Sequence, residues 1–195
     1  AGVLGLWGSD GEIVVPLLAT QILWINLITD SAPALAMGVD PEIDDVMARP
    51  PRVRSAHLLG PAMWARILLV GSVMAGATLL AIDRFLPGGL LAGHDSLETA
   101  RTAGFTTLVI AQLFNALSSR SQTRTAFAGL GSNLWLLGAL LLAVALQVLV
   151  VEWSVLQHAF GTTGLDAAHW AWSIGLASAV LLVVEVEKLW RRHRS

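Results

Sequence analysis

Cysteine is absent from the 195 residues. That excludes disulfides, thiolate zinc sites and cysteine nucleophiles, and leaves the redox compartment open. Charge is scarce: 13% of residues are Asp, Glu, Lys or Arg, against about 25% in an ordinary soluble domain. The basic residues sit at the ends of apolar blocks and make no face of their own, so no nucleic-acid partner is expected. The N-terminus lacks a basic region followed by an apolar core and a small-residue cleavage site, so no signal peptide is expected. What remains is 55% hydrophobic. Those residues come in long blocks, as in a polytopic membrane protein.

Five blocks are visible: roughly 14–37, 61–85, 103–117, 134–151 and 167–189. Most approach the ~20 residues that cross a hydrocarbon core. The third is short and polar, so neighbouring helices are expected to shield it. Residues Ala1 to Trp7 read as the tail of an earlier helix, and the chain as the C-terminal piece of something longer. The expected fold is all-α, a membrane bundle of about five spanning helices occupying residues 1–195.

Arg49, Arg52 and Arg54 lie in the loop Asp40–Leu59, Arg120 and Arg124 in the loop 118–132, and Lys188, Arg191, Arg192 and Arg194 in the tail. The intervening loops, Pro87–Ala100 and Ser154–Ala168, hold Asp95, Glu98 and Asp166. This positive-inside alternation predicts that the loops 40–59 and 118–132 and the C-terminus are cytoplasmic.

The first block is interrupted by polar residues. Asn26, Thr29 and Asp30 stand at i, i+3 and i+4, one face of a helix. A carboxylate at the centre of a membrane helix costs roughly 2.5–3.5 kcal/mol on insertion scales. Pro33 has no N–H for the carbonyl of Thr29 and its ring crowds that carbonyl, so the backbone there should open or bend. Freed carbonyls at membrane depth are tolerated where they line a cavity or bind a cation. The segment thus offers amide, hydroxyl, carboxylate and carbonyl oxygens, the donors that calcium takes about 6–8 at a time. Gln112 and Asn115, three apart in the third block, are expected near one face. Either could add an oxygen or tie helices together. The same two readings are open for Asn26 and Thr29. Asp30, with no Arg or Lys in its own span, is poorly explained as interhelical glue.

Other groups read as structural. Asp40, Glu42, Asp44 and Asp45 lack the glycine and glutamate of an EF-hand loop and suit a solvated loop that docks on a partner domain. His57, His94, His158, His169 and His193 show no ligand spacing and are expected to be ordinary loop or tail residues. Glu187 and Arg191 form an i, i+4 pair. Most tryptophans fall near span ends as interfacial anchors, while Trp24 is expected to pack within the bundle.

The run from Gln21 to Pro41, QILWINLITDSAPALAMGVDP, resembles the sixth membrane helix of type II P-type cation ATPases, most closely the calcium pumps of the sarco/endoplasmic reticulum kind and their bacterial relatives. Asp45 to Arg52 looks like that family's following loop, and Leu108 to Leu117 is similar to its eighth helix. The resemblance implies that the blocks are helices six to ten, and that Asn26, Thr29 and Asp30 coordinate the transported cation. Gln112 holds the eighth-helix position that is glutamate in two-calcium pumps. A glutamine there is similar to pumps carrying one calcium per cycle and leaves a second ion site open. Ser31 replaces a glycine common after the aspartate. The implied cargo is calcium, in the plasma (inner) membrane of a bacterium. The implied partners are membrane lipid and the pump's remaining N-terminal helices and cytoplasmic domains, on which the loop 40–59 would act. ATP and magnesium would act only through those domains, because the Asp-Lys-Thr-Gly phosphorylation motif and the nucleotide-binding domain are absent from this chain. The chain is therefore expected to be part of a translocase with no catalytic residues of its own. The alternatives are a stand-alone truncated membrane protein that assists or regulates a pump, and a passive channel.

Overall fold

The computed structural model describes residues 15–39, 60–91, 93–119, 125–126 and 133–192, apart from the side chains of Asp30, Ala62 and Arg192. The tail of an earlier helix at Ala1–Trp7, the acidic cluster from Asp40 to Asp45, the arginines of both basic loops, His57, His193 and Arg194 lie outside the described residues.

The first helical run begins after Pro16, later than expected, with Leu18 extended at its N-cap. It comprises α1 (Ala19–Ile25), a π-helical segment (Asn26–Ser31) and α2 (Ala32–Gly38) without a break. Then follow α3 (Pro61–Phe85), α4 (Leu97–Ser119), α5 (Leu134–Glu152), α6 (Ser154–Phe160) and α7 (Ala167–Arg192). No strand is found among the described residues. The molecule is an all-α membrane bundle. Helices α3, α5 and α7 are long and apolar enough to cross a membrane. Their large apolar side chains, such as Leu68, Leu141 and Leu182, point outward, as on lipid-facing helices.

Local chemistry explains the boundaries. Pro61 opens α3 at a position where its missing N–H has no helical partner anyway. The turn after α3 is held by buried Asp83, whose carboxylate accepts the N–H groups of Leu90 and Leu91 at 2.8 and 2.9 Å. Helix α4 begins at Leu97, six residues before the expected start. The Ser96 hydroxyl accepts the N–H of Thr99 at 3.1 Å as its N-cap. Its first turns, with Glu98, Thr99, Arg101 and Thr102, are too polar to register as an apolar block. Helix α5 starts on Asn133, which accepts the N–H of Leu136 and donates to the carbonyl of Ala36 at 2.9 Å each, tying α5 to α2. The short α6 lies within the stretch Ser154–Ala168, which the sequence presents as a loop. It stops at Gly161, whose φ of 60° is a left-handed cap.

Helix α4 lies at the centre, packed against α3, α7, α5 and the π segment. The expected shielding of this polar helix is observed: Thr102, Phe105, Thr106, Thr107, Val109 and Ala111 are all fully buried. Thr102 and Thr107 donate their hydroxyls to the carbonyls of Glu98 and Ala103, four residues back, at 2.8 Å each. This satisfies the hydroxyls inside their own helix. A Cβ at Gly104 would collide with Ile82 of α3, so only glycine permits that close approach.

His169 corrects the expectation of an ordinary loop residue. It stands in the first turn of α7, against the ring of Phe85, with Nε2 3.5 Å from Asp95 and Nδ1 2.6 Å from Asp166. It links the loop before α4 to the start of α7. The Glu187–Arg191 pair is present at 2.5 Å, and Arg66 of α3 joins it, 3.5 Å from Glu187.

Candidate functional site: a polar layer at the π segment

The π segment falls where Pro33 was expected to disturb the backbone. In a π turn each N–H reaches five residues back, and such turns inside α-helices occur frequently at functional sites. The Thr29 hydroxyl donates to the Ile25 carbonyl at 2.7 Å, and its oxygen also meets Oε1 of Gln112 on α4. Thr29 is buried and Gln112 half-buried. A carbonyl, a hydroxyl and an amide oxygen thus converge where the π segment touches α4. The hydroxyl carries one proton, so it can serve only one of the other two oxygens at a time. Carbonyl, hydroxyl and amide oxygens are donors of the kind a hard cation takes.

The π turn also separates residues that α-helical spacing would group. Thr29 faces α4, whereas Asn26 is exposed. The single expected face is therefore split, because the wider turn shifts the register between them. The backbone of Asp30 lies within the π segment; its side chain is outside the described residues. Gln112 and Asn115 part as well. Gln112 meets Thr29, while Asn115 lines a separate cavity of about 370 Å³ with Arg66, Met63 and Ser119. Among the described residues no three His, Cys, Asp or Glu side chains gather as metal ligands.

A second set of polar groups, not singled out in the sequence, supports the layer. Gln147 on α5 is fully buried, accepts the indole N–H of Trp24 at 3.2 Å and donates to the Thr106 hydroxyl at 3.3 Å. Trp24 packs inside the bundle, edge-on to Phe160 at 4.8 Å. Gln21, also fully buried, donates to the carbonyls of Phe160 and Gly161 and accepts the N–H of Leu18. The available signal was Gln147 itself, the lone polar residue between Leu134 and Val151 and so a candidate for interhelical bonding.

The structure thus defines a class: a polytopic helical membrane protein with polar groups gathered around a helix that carries a π segment. Comparison with known proteins places it further. The profile of the family described as "Cation transporting ATPase, C-terminus" matches residues 14–190, and the chain belongs to that family. It is 38% identical over 181 residues to the calcium-transporting ATPase type 2C member 2 of Mus musculus, covering 92% of this chain and 19% of that protein. It is 37% identical over 180 residues to the type 2C member 1 of Homo sapiens, with the same two coverages. It is 33% identical over 167 residues to a calcium-transporting ATPase of Bacillus subtilis (strain 168), covering 84% of this chain and 18% of the relative. The chain spans about a fifth of the length of these relatives.

Proposed function

We propose that this chain is the C-terminal part of the membrane domain of an ATP-driven calcium pump, and that the polar layer supplies part of its ion site. The observation that carries the reading is the convergence of Thr29, Gln112 and the Ile25 carbonyl at a π interruption. Calcium is favoured because the relatives are named calcium-transporting and because hard oxygen donors suit it. In this reading Asn26, Thr29, Asp30 and Gln112 are ligands, with Asn26 facing the part of the site that other helices of the pump complete. All five blocks span the membrane as helices six to ten. Residues 40–59, 118–132 and the C-terminus face the cytoplasm of a bacterium across its plasma membrane. The pump's remaining helices and cytoplasmic domains are the partners. ATP and magnesium act there, and the loop 40–59 transmits that chemistry to the helices.

The test is Asp30→Asn in the whole pump. It should abolish calcium-dependent phosphorylation by ATP, and normal calcium affinity in that variant would overturn the assignment. Gln112→Ala should weaken calcium affinity less. An equally severe loss would make α4 a principal ligand helix.

A further inference from the structure

A groove of about 420 Å³ runs between α3 and α7, lined by Leu69, Leu182, Val183, Val186, Glu187 and Trp190. Leu69, Leu182, Val186 and Trp190 are all exposed, so whatever fills the groove lies outside the described helices. From Leu182 to Trp190 is eight helical residues, about 12 Å of axis, the scale of an acyl-chain segment. At one end the character changes abruptly. Arg66 and Arg191 share the single carboxylate of Glu187, at 3.5 and 2.5 Å. Two guanidiniums on one carboxylate leave a net positive charge and several free donors. Lys188 adds nothing there: it is turned inward and buried, with Glu185 at 3.2 Å. Trp190 stands at the same level, where indole rings anchor at a membrane interface. In sequence, Arg192 and Arg194 follow.

We infer that this groove seats an anionic phospholipid, its phosphate on Arg66 and Arg191 and one acyl chain along Leu69, Leu182 and Val186. Charge complementarity selects this occupant. An apolar helix would fill the groove but leave the guanidiniums unanswered, whereas a phosphate accepts the fork of an arginine in bidentate fashion. Glu187 fixes both arginines in place and is itself neutralised by them. Basic clusters at the cytoplasmic end of membrane helices meet the leaflet that carries anionic lipid. The inference thus rests on the orientation given under Proposed function but on none of its calcium chemistry.

The test uses the whole protein that carries this region, in nanodiscs containing spin-labelled phosphatidylserine or phosphatidylcholine. The phosphatidylserine label should be immobilised several-fold more than the phosphatidylcholine label. R66Q/R191Q should abolish the difference, and R66K/R191K should retain part of it. V186W, which fills the groove and keeps both arginines, should also lower the difference; this variant decides the matter if R66Q/R191Q loses helicity. Millimolar inorganic phosphate should not displace the lipid. Equal immobilisation of the two labels in the unaltered protein, selectivity unchanged in R66Q/R191Q or V186W, or displacement by phosphate alone would each overturn the inference. The measurement needs neither calcium nor ATP, so its failure and that of the calcium reading are separately visible.

Discussion

Gln147 shows how one amide can organise three helices. It lies in the most apolar helix of the chain, yet both ends of its side chain are engaged, by Trp24 of α1 and Thr106 of α4. In a membrane such bonds contribute about 0.6 kcal/mol on average and up to about 1.7. Gln147→Leu removes both hydrogen bonds at once and should destabilise the bundle by about 1 kcal/mol, measured by unfolding in mixed micelles. Trp24→Phe added to it should cost less than Trp24→Phe alone, because the bond is already gone. At Thr29, the α-helical spacing that grouped it with Asn26 failed for a local reason, the π turn. The contact that matters, with Gln112, spans 83 positions of sequence. No local pattern reports a pairing at that range.

Close packing of α4 on α3 depends on Gly104. Gly104→Val should push Ile82 out of place and cost about 1–3 kcal/mol, as overpacking does. Ile82→Ala in the same chain should recover part of that loss, read in the same unfolding measurement. The π segment ends just before Pro33. Pro33→Ala restores a backbone N–H and removes the ring's pressure on the turn behind it. The segment should then relax toward α geometry, turning Thr29 away from Gln112. In the whole pump this should lower calcium affinity without preventing assembly, checked by calcium-dependent phosphorylation and by detergent-stable yield. The apolar blocks were legible because helix length in a membrane is set by the hydrocarbon thickness. The true start of α4 and the existence of α6 were not. Polar first turns and a seven-residue helix leave no apolar run to read.

Across the whole molecule, the end of the bundle opposite the Arg66–Glu187 pair is tied by His169 between Asp95 and Asp166. Asp166 is also the cap of α7. The N–H of His169 on its carboxylate is the main cause of a pKa below the ordinary value of 3.8. A carboxyl depressed in the folded state contributes stability above its unfolded pKa, which is lost as pH falls through the folded value. Thermal stability should therefore fall with acidification below about pH 4. Asp166→Asn keeps a capping oxygen and should flatten that part of the profile, measured as Tm against pH.

From its sequence alone, this chain was committed to being a helical membrane protein with polar groups inside its first block. Apolar run length and the presence of Asn26, Thr29 and Asp30 are local facts, and the bilayer makes them decisive. Tertiary structure alone decided which of those groups meet. The π turn resets the direction of Thr29 relative to Asn26, and α4, arriving from far along the chain, brings Gln112 to Thr29 while Asn115 faces another cavity. A helix period can say which residues share a face only while the helix keeps its period, and here it changes at the residues in question.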